Sequence, residues 1–109
     1  EEEIELNPVE KKGTDYMVVM THIGLKQFDR AIELIDEMAK EGRGGVGQVG
    51  FKVACLAHKG DTVSAKDLLK VYLNQRPQVK SLEDYEKVAP TIVKEILMEG
   101  MKIAGLPDK

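Results

Sequence analysis

A chain of 109 residues with 42% apolar, 32% charged and 5% aromatic residues, and no tryptophan, suits one domain or a short run of repeats rather than an all-β sandwich. Its net charge of −3 argues against a dedicated nucleic-acid binder, whose affinity draws on basic side chains facing phosphates. One cysteine, Cys55, excludes an internal disulfide and a zinc site of two or more thiolates, and no apolar run approaches the roughly 20 residues of a membrane span.

Residues 1–13 read as an extended or poorly ordered segment, acidic at Glu1–Glu3 and punctuated by Pro8 and Gly13. The start on Glu1 rather than Met reads as a processed or truncated end, with any transit peptide already missing. From Asp15 to about Ile23 the run Tyr-Met-Val-Val-Met fits either helix or strand. Phe28 to Glu41 is unambiguous. Ala31, Ile32, Leu34, Ile35 and Met38 share one face and Asp29, Arg30, Glu33, Asp36, Glu37 and Lys40 the other, with Gly42 as the stop. Only the short stretch from Gly24 to Gln27 separates the two segments, so the first is expected as the antiparallel partner of the second.

Arg43 to Gly50 is glycine-rich and reads as a loop, with helix resuming near Gln48 and ending at Gly60. Asp61 or Thr62 can cap the next helix, which Pro77 terminates. Ser81-Leu-Glu-Asp84 is a capping-box start with Asp in place of Glu. The last helical region, about 82–104, should break at Pro90 and close at Gly105 and Pro107.

Two of these segments carry the same face. Ala31, Leu34, Ile35 and Met38 recur 34 residues later as Ala65, Leu68, Leu69 and Tyr72. Leu97, Met98, Met101 and Gly105 repeat Leu34, Ile35, Met38 and Gly42 at an offset of 63. A period in the low thirties marks stacked helical hairpins. The expectation is an all-α chain, an α-solenoid of about three antiparallel hairpins spanning 14–108, with units near 14–42, 47–76 and 81–108.

The second helix of each unit resembles that of a pentatricopeptide repeat, and more loosely a tetratricopeptide repeat. Ala31, Ile32, Leu34, Ile35, Met38 and Gly42 match the former's small residue, aliphatics, Met and Gly in order, and Ala65, Leu68, Leu69 and the turn glycine Gly60 match in the second unit. The ending Leu97 to Asp108 is similar to the family's closing phrase of Met, Lys, Gly, Pro and Asp, one residue short between Gly105 and Pro107. The pattern departs at Tyr72, where Met is expected, and at Lys94, where a small residue is expected. Many members of that family bind single-stranded RNA in mitochondria or chloroplasts, one base per repeat. Met17 and Phe51 align with the main base-reading position, and neither offers a hydrogen-bonding edge. Other relatives act as scaffolds in organellar assemblies, and this chain looks more like those.

The remaining motifs have bland readings. Gly45-Val-Gly47-Gln-Val-Gly50 satisfies G-x-G-x-x-G, but a dinucleotide fingerprint needs a strand before it, and a helix precedes it here. The same glycines followed by Lys66 resemble a protein-kinase glycine loop and lysine, yet His-Arg-Asp and Asp-Phe-Gly are both absent from the sequence. His22 and His58 fall near helix ends, where a partly charged ring suits the dipole, and Cys55 sits among small apolar residues as a core position. Lys52, Lys59, Lys66 and Lys70, with Arg76 and Lys80, make the middle of the chain basic, and the four lysines above all are candidate contacts to phosphates or an acidic partner.

The expected function is therefore a non-catalytic helical-repeat subunit that docks on other proteins of a larger, organellar assembly, without cofactor or metal. Tyr16, Met17, Met20 and Phe51 are its expected first-helix contacts. An RNA-binding repeat of mitochondria or chloroplasts is the alternative, and a nucleotide-binding fragment using the glycine-rich loop a weaker one.

Overall fold

Pro8 supplies the first turn of the first helix, where its missing N–H has no intrahelical partner to lose and its fixed φ favours helix. That helix, α1 (Pro8–Gly24), starts seven residues earlier than the β-branched run suggested, so residues 8–13 are helical rather than extended. The computed structural model describes residues 8–42 and 44–109, with side chains from Tyr16 onward. Glu1–Glu3 and the rest of residues 1–7, and Arg43, lie outside the described residues.

The described residues form six α-helices and one 3-10 turn, with no strand, so the chain is all-α. After α1 come α2 (Phe28–Lys40), α3 (Val46–His58), α4 (Thr62–Gln75), α5 (Leu82–Val88), the turn Thr91–Val93 and α6 (Lys94–Ala104). The caps follow local chemistry. The Asp61 side chain accepts from the Ser64 N–H at 3.3 Å and Ser81 Oγ accepts from the Asp84 N–H at 3.3 Å. Asp84 does not close a reciprocal box with Ser81; its Oδ2 accepts from the Lys80 N–H instead. Gly105 ends α6 at φ +108°, a left-handed conformation that favours glycine. Beyond it the chain folds back, and the carbonyls of Pro107 and Asp108 accept from the Leu82 and Glu83 N–H groups at 2.7 and 3.3 Å. The C-terminal residues thus satisfy the free donors at the start of α5.

Residues 46–50 correct the expected loop. They form the first turns of α3, and Gly47 and Gly50 are helical. Glycine disfavours helix by about 1 kcal/mol against alanine, and the compensation is tertiary. A Cβ on Gly47 would stand 2.8 Å from the Tyr16 hydroxyl, and one on Gly50 2.9 Å from Tyr72 Cε1. The glycines are therefore the flat surface against which two tyrosine rings lie.

Helix α3 is the centre of the molecule. Gln48, Gly50, Phe51, Val53, Ala54, Cys55 and Ala57 are all buried, and α2, α4 and α6 pack around it. A helix apolar on nearly every side belongs inside, and its small residues let neighbours approach closely. Gln48 is the exception in polarity. Its Nε2 meets the Met38 sulfur at 3.6 Å, and its Oε1 has no partner among the described residues.

The 34-residue echo survives as burial. Ala31 and Ala65 are fully buried, Ile35 and Leu69 nearly so, as are Met38 and Tyr72. The third copy does not follow the same register. Leu97, Gly100, Met101 and Ala104 are buried while Met98, the counterpart of Ile35, is only partly covered. Gly100 corresponds to Glu37, which is exposed in the first unit. The face has turned because α6 crosses α3 at Gly100, where a Cβ would lie 2.6 Å from Ala54 Cα. In a strictly linear array each unit meets only its neighbours. Here the turn Thr91–Val93 of the third unit also reaches α1, with Val93 Cγ1 3.7 Å from the Cβ position of Gly24.

Candidate functional site: an aromatic groove on the first helices

Each unit's first helix contributes one aromatic ring to the same side of the molecule: Tyr16 from α1, Phe51 from α3 and Tyr85 from α5. With Met20, Gly47, Tyr72, Arg76, Val88 and Pro90 they line a cavity of about 300 Å³. Phe51 is its floor, 3% exposed, with the edge of the Tyr16 ring standing over it at 5.7 Å and 89°. Tyr72 and Tyr85 form a second edge-to-face pair at 6.0 Å and 80°. The Tyr16 and Tyr72 rings lie against the glycine surface of α3, so the cavity's shape depends on the G-x-G-x-x-G run.

Burial raises the Tyr72 and Tyr85 phenols above their ordinary range, so both stay neutral near pH 7. The Arg76 guanidinium opposes the shift at Tyr72, through its charge and a hydrogen bond. Arg76 caps the end of α4 and is half-buried at the cavity. No carboxylate pairs with it among the described residues.

Met20 is also a wall of a second hollow, of about 280 Å³, formed with Met17, Thr21, Gly24, Leu25 and Ile92. Three of its apolar side chains are open to solvent: Met17 at 55%, Leu25 at 63% and Ile92 at 77%. The two hollows share Met20 and form one apolar track across α1 and the third unit.

Of the four expected contact residues, the structure brings Tyr16, Met20 and Phe51 together and places Met17 in the adjoining hollow. Phe51 enters the cavity as its buried floor, with Tyr16 packed over it. Sequence reasoning took Arg76 only as part of the basic middle of the chain, and missed Tyr72 and Tyr85 as site residues, with Leu25 and Ile92 beside them. One signal was present. Aromatic residues at 16, 51 and 85 stand about 34 residues apart on the first helices, the offset the aliphatic echo shows between the first two units.

The four lysines of the basic middle fall into two pairs. Lys52 donates to Asp36 Oδ1 at 2.6 Å and Lys59 is paired with Asp29, so two of the four are engaged in ion pairs. Lys66 and Lys70 are exposed one turn apart on α4. Lys59 is held above its ordinary range, first by the hydrogen bond to Asp29. His58 is structural: its ring stacks on Phe28 at 4.8 Å, and Nε2 donates to the Ile96 carbonyl at 2.7 Å, tying α3 to α6. His22 Nδ1 meets the Val18 carbonyl one turn back at 2.8 Å. Cys55 is fully buried and desolvation pushes its thiol up to about 12, which makes it inert as a nucleophile near neutral pH.

Among the described residues no three His, Cys, Asp or Glu side chains converge as metal ligands, and no helix is long and apolar enough to cross a membrane. No family model, curated protein or solved structure matches this chain.

Proposed function

We propose that this protein is a non-catalytic helical-repeat docking subunit that holds an apolar side chain of a partner protein in the groove of its first helices. The observation that carries the reading is the convergence of Tyr16, Phe51 and Tyr85, from three successive units, on one cavity beside Arg76, which has no carboxylate partner among the described residues. Aromatic-lined pockets with a few placed polar groups are where interface energy concentrates. The resemblance to pentatricopeptide repeats makes a mitochondrial or chloroplast assembly the expected setting, with other subunits of that assembly as partners. An RNA reader would instead need hydrogen-bonding side chains on the first helices and free cations. Met17 and Phe51 supply no such edge, and Lys52 and Lys59 are already paired.

Panning a random dodecapeptide phage library on the immobilised chain tests the reading. Enriched peptides should bind the wild type, bind Lys70→Ala equally, and lose most affinity for Tyr16→Leu, which keeps an apolar side chain but removes the ring. Circular dichroism confirms that each variant is folded. No enrichment, or tight salt-sensitive binding of a single-stranded RNA oligonucleotide that Lys66→Ala abolishes, would overturn it.

A further inference from the structure

We infer that the groove reads a partner segment with two apolar side chains, the first of them flanked by a carboxylate. The inference rests on the docking reading and adds the chemistry of what is docked.

Three observations carry it. Arg76 is a half-buried cation at the aromatic cavity with no carboxylate beside it among the described residues. Among the described residues it acts on two neutral phenols, hydrogen-bonding Tyr72 and lying near Tyr85. A guanidinium in that position is complementary to a carboxylate, and an apolar environment strengthens such a hydrogen bond while penalising a lysine or arginine on the ligand. Second, the aromatic cavity is about 300 Å³, room for one large side chain rather than for a folded element. Third, Met20 joins it to the hollow walled by Leu25 and Ile92, whose exposure of 63% and 77% leaves them uncovered by the chain itself. A single anchored residue would leave that second hollow wet. A segment with another aliphatic residue further along covers both, and the neighbouring sites act at high effective concentration on one ligand.

The partner is thus an acidic, amphipathic peptide segment. A second copy of this chain is the competing occupant, and it gives a different result in the test.

Two biased phage libraries are panned in parallel, both with a fixed Phe and a randomised aliphatic position downstream. One fixes Asp beside the Phe and the other fixes Lys. The Asp library should enrich on the wild type and the Lys library should not. Peptides from it should bind Arg76→Gln about tenfold more weakly, with reduced salt dependence. Ile92→Ser and Leu25→Ser, both at exposed positions that leave the core intact, should each weaken binding about five- to tenfold and erase the preference for an aliphatic downstream. Equal enrichment of both libraries, or unchanged binding by Ile92→Ser and Leu25→Ser while Tyr16→Leu still abolishes it, overturns the inference and leaves the docking function standing. Failure of every peptide removes both. Concentration-dependent dimerisation that Ile92→Ser abolishes assigns the track to a second copy and also overturns it.

Discussion

Gly100 and Ala54 stand in backbone contact: a methyl group on Gly100 would sit 2.6 Å from both Cα and Cβ of Ala54. This crossing sets how α6 lies on α3, and so how the third unit closes against the first. Gly100→Ala gains about 1 kcal/mol of helix propensity but must separate two helices that touch through backbone. The expected net is a loss of about 2 kcal/mol, seen as a fall in melting temperature of about 10 °C. Gly24→Ala is the control. Its Cβ meets Val93 Cγ1 at an ordinary 3.7 Å, so it should stabilise by about 0.5 kcal/mol.

Gly47 and Tyr16 are coupled in the same way, through the end of a side chain. A Cβ on Gly47 falls 2.8 Å from the Tyr16 hydroxyl and 3.1 Å from Cε1. Gly47→Ala should displace the ring and destabilise by about 1 kcal/mol. In a Tyr16→Phe background, which removes the hydroxyl, at least half of that loss should vanish. A double-mutant cycle by urea unfolding reads the coupling; strict additivity would mean the ring does not rest on Gly47.

Gln48 offers a gain. Its Oε1 is buried with no partner among the described residues, a situation that costs about 1–3 kcal/mol. Gln48→Met keeps the length and removes the unmet acceptor. It should raise stability by about 1 kcal/mol in chemical denaturation, and a loss of that size would show that the amide is satisfied in solution.

Stability should fall in alkali, and the sign follows from four groups. Burial lifts Cys55 from 9.0 to about 12, and raises Tyr85 and Tyr72 from 10.0; the Asp29 hydrogen bond raises Lys59 from 10.5. In each case the folded state holds its proton more tightly than the unfolded state. The contribution is complete below the unfolded pKa and is lost as pH rises. Stability should therefore be level in these terms up to about pH 9 and decline above it, by up to about 1.4 kcal/mol per pH unit for each of the buried groups Cys55, Tyr72 and Tyr85. Cys55→Ala should flatten the onset between pH 9 and 10, where the thiol is the first to titrate. Urea midpoints across pH 7–11 check this, and a Cys55→Ala profile with the wild-type onset would contradict it.

Much of the architecture was legible because its causes are local. Amphipathic spacing in α2, the caps at Asp61 and Ser81, and the breaks at Gly42, Gly60 and Pro90 all act within a turn or two of the chain. What was not legible depends on distant partners. Gly47 and Gly50 read as loop residues until Tyr16 and Tyr72 are known to lie on them, and Gly100 reads as an ordinary helix residue until Ala54 is opposite. The site was half visible for the same reason. Tyr16, Met20 and Phe51 lie in the two units whose register is regular. Tyr85 and Ile92 enter it only because the third unit folds back, and Arg76, the cap of α4, meets Tyr85 there for the same reason.

The central claim is that the groove of the first helices is the binding surface. The most direct test is chemical-shift mapping of the aromatic and methyl resonances as an enriched peptide is titrated in. Signals of Tyr16, Met20, Tyr85 and Ile92 should move together, while Val63 and Val71, exposed on α4, stay in place. Shifts concentrated at Val71, Leu68 and Ile32, which line the cleft between α2 and α4, would contradict the account.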